Sequence, residues 1–117
     1  MRLVSWNIRG ISSGLKEKIV KRLVESHSVE IIILQESKLN ACDNWWVQRL
    51  WADDDFDWEW QPADGNAGGL LMIWDTKAFK KEMFVVKERF IIVKGKWVAD
   101  DFKCIVVNVY APWICYN

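Results

Sequence analysis

Hydrophobic and polar positions divide the first third of the chain into a strand, a helix and a second strand. Polar and apolar side chains alternate over residues 2–8, as in a strand with one covered face. Apolar residues recur at helical spacing over 15–24, and Ser12 or Ser13 can cap the first turn. The run 31–34 is continuously apolar, which is typical of a strand covered on both faces. This order predicts a right-handed parallel crossover.

The rest of the chain predicts antiparallel strands and one further helix. Large apolar residues over 45–51 follow Asp43 at helical spacing, and residues 57–61 alternate weakly, as in an edge strand. Two glycines then precede a strand at 70–74, which has a clearer strand pattern. We predict the remaining strands, which form a meander, at 83–86, 90–98 and 103–110. The elements together predict an α/β fold, and no linker or repeat divides residues 1–117 into separate domains.

Two polar residues lie near the carboxyl ends of the two predicted parallel strands. Asn7 lies at the end of the first strand, and Glu36 lies just beyond the end of the second. Open α/β sheets bind ligands at the carboxyl ends of their strands, and Mg²⁺ takes one or two carboxylates together with water and substrate phosphate. A magnesium site is therefore one interpretation of this pair. The other is that Glu36 forms an ion pair with Lys38 or caps the following turn.

Composition and charge restrict the other possibilities. The 16 basic and 16 acidic residues cancel, so binding to nucleic acid would need a local patch rather than a global field. The three cysteines, Cys42, Cys104 and Cys115, form no CxxC pair, which indicates a reducing compartment and no zinc site. We find neither the apolar core of a signal peptide nor a membrane-spanning segment, and therefore expect a soluble, intracellular protein.

Further charged clusters have ordinary explanations. The acidic stretch 53–59 could be imagined as a calcium loop, but Trp58 occupies the position that needs glycine, so a solvated loop is favoured. His27, the single histidine, falls at the end of the first predicted helix, as an ordinary surface residue would. Five basic residues around a predicted strand pair could follow a phosphate backbone or form a solvated face: Lys77, Lys80, Lys81, Lys87 and Arg89.

Four segments together resemble a known superfamily. They are LVSWNIRGI, IIILQESKL, NAGGLLMIW and VVNVYAP, in this order, between residues 3 and 112. Their sequence and order resemble the endonuclease/exonuclease/phosphatase superfamily, which has the DNase-I-like fold. The details are most similar to the endonuclease domain of plant LINE-type (non-LTR) retrotransposons, where WNIRG, LQESK and YAP motifs recur.

The resemblance implies roles for five residues. Asn7 matches an asparagine that helps to hold the metal and the scissile phosphate, and Glu36 matches the metal-binding glutamate. Tyr110 matches a tyrosine whose hydroxyl contacts the phosphate. Gln35 and Asn108 neighbour these positions, and we interpret them as polar groups that orient the metal and phosphate ligands. The implied cofactor is Mg²⁺, with Mn²⁺ as a substitute, and the implied partner is DNA.

The chain also departs from the superfamily pattern. After Tyr110 the sequence has neither the Asp-x-Asn nor the Asp-His motif of the superfamily. The resemblance implies an α+β sandwich, in which two sheets pack together with helices outside. We therefore expect residues 1–117 to be the N-terminal portion of one such domain, with the first sheet and its flanking helices but without the partner sheet. An uncovered apolar sheet face would favour self-association.

The resulting expectation is a metal-dependent phosphodiester hydrolase resembling DNA endonucleases, incomplete and inactive as this chain. Two alternatives stay open. One is a phosphatase acting on a phosphoinositide or a nucleotide, and the other is a non-catalytic remnant of a retroelement. Nuclear residence would suit a retroelement endonuclease, although we find no basic cluster that would serve as an import signal.

Overall fold

The computed structural model describes residues 1–51 and 53–110, which form two sheets and two helices. The Ala111 and Pro112 of the YAP motif, and Cys115, lie outside the described residues. In chain order the elements are β1 (Leu3–Asn7), α1 (Gly14–His27), β2 (Ile31–Gln35), α2 (Asn44–Trp51), β3 (Phe56–Gln61), β4 (Leu70–Asp75), β5 (Phe79–Val86), β6 (Phe90–Trp97) and β7 (Lys103–Val109).

The first sheet has the strand order β1-β2-β4-β3. β1 and β2 are parallel, as predicted for a crossover through α1, and Asn7 lies opposite Gln35 in their register. β4 runs antiparallel to β2, and β3 forms the predicted edge strand. Ser13 is the residue that caps α1, because its hydroxyl accepts a hydrogen bond from the Lys16 backbone N–H at 3.3 Å.

Two apolar clusters cover the two faces of β2 and β4. On one face, residues such as Ile32 and Leu34 pack against Val20 of α1 and Leu50 of α2. On the other face, residues such as Trp74 pack against the second sheet, whose order is β5-β6-β7. Nearly every residue of β2 and β4 is therefore buried, which explains their continuously apolar sequences.

The expectation that the chain contains only the first sheet is wrong. β5, β6 and β7 form a separate antiparallel sheet that packs on the first. Only the segment 76–78 connects β4 to β5, and this length is equally compatible with a hairpin in one sheet. β5 begins at Phe79 rather than at the predicted Met83, because the polar residues 80–82 hide its pattern and a register shift follows Lys81.

The exposed apolar surface therefore lies on a different sheet from the one expected. The inner face of β2 and β4 is covered, whereas the outer face of β7 exposes Ile105, Val107 and Val109, with exposed fractions of 62%, 46% and 52%. β7 is also an edge strand of its sheet within the described ranges. In the same part of the chain, neither helix is both long and apolar enough to cross a membrane.

Candidate metal and phosphate site

Asn7 and Glu36 lie at the same edge of the first sheet. Asn7 is the last residue of β1 and is exposed, and Glu36 follows β2 and is partly buried. The loops after both strands remain paired beyond the strands: the Ile8 N–H donates to the Gln35 carbonyl at 3.0 Å, and the Gly10 N–H donates to the Glu36 carbonyl at 2.7 Å. The parallel register therefore brings the backbones of Asn7 and Glu36 to the same end of the sheet.

Glycines allow a third loop to approach the segment that carries Glu36. The N–H groups of Ser37 and Lys38 donate to the carbonyls of Gly69 and Gly68, at 3.0 and 2.9 Å. Gly69 has a φ of +89°, and a Cβ there would lie 2.5 Å from the Ser37 hydroxyl oxygen and 3.2 Å from the Lys38 nitrogen. Because only glycine fits this approach, Gly69 determines how tightly the loop before β4 holds the segment after Glu36.

The Glu36 side chain has no protein partner among the described residues. Neither an ion pair with Lys38 nor a side-chain hydrogen bond is present in that part of the chain, which contradicts the interpretation of Glu36 as an ion-pair partner of Lys38. Its φ of +52° lies in the left-handed region, which is uncommon outside glycine. One partly exposed carboxylate beside an amide fits Mg²⁺, since this ion keeps several waters.

The described residues contain no cluster of several metal-binding side chains. Within residues 1–51 and 53–110, no group of three or more His, Cys, Asp or Glu residues is placed to hold a metal ion. A site at Glu36 would thus depend on one carboxylate, amide oxygens and water. Such a donor set matches a hard cation rather than zinc.

Asn108 joins the two sheets next to this edge. Its side chain is fully buried, and its amide nitrogen donates to the carbonyls of Leu34 and Leu71 at 3.1 and 3.3 Å. Its amide oxygen accepts a hydrogen bond from the Gln35 side chain at 3.0 Å. Gln35 also donates to the Ser5 hydroxyl at 3.1 Å. A continuous hydrogen-bond network therefore runs from β1 through β2 to β7.

Tyr110 approaches the same edge from the second sheet. It follows β7, and its N–H donates to the Arg89 carbonyl at 2.8 Å. Its ring lies 3.7 Å from the position of a Cβ on Gly68, whose carbonyl holds the Lys38 N–H. Tyr110 also lines a cleft of about 180 Å³ together with Gly68 and Arg89. Tyr110 is thus connected to the Glu36 segment through the glycine loop.

Three residues that the sequence interpretation omitted support this edge. Ser5 accepts the hydrogen bond from Gln35, and its place on the Asn7 face of β1 could have indicated this role. Ser37 is fully buried, and its hydroxyl accepts from the Leu39 N–H at 3.4 Å. The Lys16 ammonium donates to the carbonyls of Ile8 and Arg9 at 2.7 and 2.9 Å, a contact with no sequence signal.

Ion pairs account for part of the acidic and basic clusters. Lys77 lies 3.4 Å from Asp53 and 3.3 Å from Asp55, and its hydrogen bond to Asp55 is the main reason that its pKa is raised. Lys81 lies 2.8 Å from Glu59. Burial opposes the charged form of Lys81, but hydrogen bonds and the charges of its carboxylate partners still raise its pKa. These two lysines are therefore less available to a phosphate backbone.

The two described cysteines are free thiols in half-buried positions. Burial, followed by the charge of Asp43, raises the pKa of Cys42 to about 12. Burial also raises the pKa of Cys104. Because the thiolate is the reactive form, neither position is suited to nucleophilic chemistry at neutral pH.

No family model and no curated protein matches the chain, but solved structures do. The AP endonuclease of Leishmania major is 17% identical with a TM-score of 0.65, over 92% of this chain and 39% of that one. The APE2 catalytic domain of Xenopus laevis is 17% identical with a TM-score of 0.67, over 97% and 46%. A 3′ phosphatase from Neisseria, bound to product DNA hairpin, is 16% identical with a TM-score of 0.60, over 92% and 40%.

Identities this low establish the fold and nothing finer. The chain spans between 39% and 46% of the length of these three structures. Each match nevertheless covers at least 92% of this chain. The predicted α/β class is confirmed, and the chain has the DNase-I-like fold.

Proposed function

We propose that this chain is the N-terminal part of a Mg²⁺-dependent phosphodiester hydrolase that acts on DNA. The observation that carries the proposal is the Glu36 carboxylate, which follows a buried strand of a DNase-I-like fold and has no protein partner among the described residues. A carboxylate without a protein partner can bind a divalent cation together with water and substrate phosphate. Solved structures of similar fold include AP endonucleases, which supports DNA as the substrate class.

Three residues carry the proposed chemistry. Glu36 and Asn7 hold the metal through side-chain oxygens, and the Tyr110 hydroxyl donates a hydrogen bond to the phosphate. When bound, the cation supplies positive charge to the oxygens that become more negative during hydrolysis. Gln35 and Asn108 fix the end of β2, so that Glu36 does not need to be ordered when the ligand binds.

We do not assign the base that activates water to any residue of this chain. His27 ends α1, and its carbonyl accepts a hydrogen bond from the Arg2 guanidinium at 2.8 Å, so it belongs to the opposite end of β1 from Asn7. We therefore propose that residues 1–117 bind Mg²⁺ and phosphate but do not complete hydrolysis on their own. The intact hydrolase would need further residues.

Metal binding is tested through thermal unfolding with and without Mg²⁺. We expect Mg²⁺ to raise the melting temperature of the parent chain and of Glu82→Gln, a matched exposed glutamate on β5. Glu36→Gln should lose this increase while it retains the parent melting temperature without metal. An equal increase in Glu36→Gln would remove Glu36 from the metal site.

Hydrolysis is tested separately on supercoiled plasmid, with EDTA and Glu36→Gln as controls. We expect no nicking by the folded chain. Mg²⁺-dependent nicking that Glu36→Gln abolishes would mean that the chain carries a complete site. The proposal that hydrolysis needs further residues would then be wrong.

A phosphatase is the second candidate, because one solved structure of similar fold is a 3′ phosphatase bound to a DNA product. Phosphate release from a 3′-phosphorylated oligonucleotide, without plasmid nicking, would favour it. The third interpretation, a non-catalytic remnant, predicts a folded chain whose melting temperature does not respond to Mg²⁺.

A further inference from the structure

A shallow groove runs between α1 and α2, on the helical layer that covers the first sheet. It consists of two adjoining clefts of about 280 and 290 Å³, which share Lys21 and Arg49. Lys18 and Glu17 line the first cleft, and Trp45 lines the second. The residues that line the two clefts do not include Asn7, Glu36 or Tyr110, so the groove shares no lining residue with the candidate metal and phosphate site.

Trp45 is exposed to an extent that packing does not explain. Its exposed fraction is 69%, whereas the other tryptophans in the described ranges are buried or half-buried. The guanidinium carbon of Arg49, one helical turn along α2, lies 5.3 Å from the centroid of its ring. An indole presents a large, flat aromatic surface, so an exposed one is suited to stacking against a planar partner. Arg49 thus covers part of a ring that is otherwise largely exposed at the rim of the groove.

The groove has an excess of positive charge. Lys18, Lys21 and Arg49 contribute three cations, and Glu17 contributes one carboxylate, 3.9 Å from Arg49. Neither Lys18 nor Lys21 forms an ion pair with any described residue. In a protein whose formal net charge is zero, this local excess is a patch that can attract an anion.

We propose that this groove binds single-stranded nucleic acid. The phosphates lie along Lys18, Lys21 and Arg49, and one base stacks on the exposed indole of Trp45. Proteins that bind single strands independently of sequence combine two features. Cations lie along the phosphate backbone, and an aromatic side chain stacks on a base. An anionic membrane would match the same charges, but it would also need an apolar surface in the groove. The exposed Leu15 and Ile19 of α1 do not line either cleft.

The test is fluorescence anisotropy with a labelled oligothymidylate of about twelve nucleotides, in EDTA, at several salt concentrations. EDTA removes any metal at Glu36, so this test fails or succeeds independently of the proposed function. Trp45→Ala should weaken binding about tenfold, and Trp45→Phe should restore most of it. Lys21→Ala should lower the slope of log affinity against log salt by about 0.7.

Two variants, one in the connection between β6 and β7 and one on β6, control for exposed aromatic and basic side chains. Phe102→Ala removes an aromatic ring that is 58% exposed, and Lys94→Ala removes an exposed lysine of β6. Both should bind like the parent. Binding by Trp45→Ala that equals the parent would overturn the proposal. So would binding of anionic vesicles that Leu15→Ser abolishes, in a parent chain that does not bind the oligonucleotide.

Discussion

The two sheets differ in how many of their faces are covered. In β2, the first four residues are all buried, and β4 has five buried residues in succession. β7 has an equally apolar centre, but its side chains alternate between exposed and half-buried until Asn108. The first sheet lies between a helical layer and the second sheet, whereas the outer face of the second sheet is open. Hydrophobicity alone therefore does not distinguish a central strand from an exposed edge strand.

This difference determines which sheet can serve as a scaffold for a site. Glu36 follows the strand that is covered on both faces, so its backbone is held by packing and by the adjoining loops. Tyr110 follows a strand with one open face, and its position depends on local contacts such as the buried Asn108. We expect the Glu36 segment to be the more rigid half of the site.

The largest effect should come from a substitution in the doubly covered strand. Leu34 is fully buried in β2, and Leu34→Ala should lower the free energy of unfolding by about 3 to 4 kcal/mol, because it loses apolar contacts and leaves a cavity. Val107→Ala, on the open face of β7, should cost less than about 1 kcal/mol. Urea unfolding measures both, and equal losses would contradict the difference between the sheets.

A smaller loss is expected where the loop before β4 meets the Glu36 segment. Gly69→Ala should cost about 2 to 3 kcal/mol, because its positive φ disfavours alanine and the Cβ would meet the Ser37 hydroxyl. Gly65→Ala is the matched control, since φ there is +60° but nothing lies within 4 Å of the added Cβ. It should cost about 1 kcal/mol. The same unfolding measurement distinguishes them, and equal costs would mean that Ser37 moves aside freely.

The buried amide of Asn108, which joins the two sheets, should contribute still less to the free energy of unfolding. Asn108→Ala should lower the free energy of unfolding by about 1 to 2 kcal/mol, because the buried Gln35 contact and two carbonyl contacts lose their partner. Asn40→Ala removes an exposed asparagine and should be nearly neutral. If Asn108 also positions Gln35, the Mg²⁺-induced rise in melting temperature should shrink in Asn108→Ala. An unchanged rise would limit Asn108 to a structural role.

The smallest effect on stability is expected on the open face of β7. Val107→Lys should change the free energy of unfolding by less than about 0.5 kcal/mol, since the side chain is 46% exposed. It should nevertheless reduce self-association, because a lysine on an edge strand opposes pairing with a second chain. Sedimentation of the parent, Val107→Lys and the control Val98→Lys measures this. A parent that stays monomeric at all concentrations would contradict self-association through this face.

Local signals were sufficient for most elements and for the edge of the candidate site. Helical spacing and a serine cap at position 12 or 13 predicted α1, and the continuous run before Gln35 predicted β2. Their order predicted a parallel pair, which places Asn7 and Glu36 at one sheet edge. Chirality, alternation and capping are properties of a short segment, so they can be inferred without knowledge of distant contacts.

The division into two sheets could not be inferred in the same way. A three-residue connection after Asp75 permits either a hairpin within one sheet or a crossing to another, and only packing against Phe79 and Trp97 decides between them. The contact between Asn108 and Gln35 joins residues 73 positions apart. Sequence alone determined which polar residues end which strands. Tertiary structure decided which of those ends meet, because long-range packing, rather than local preference, sets the distance between sheets.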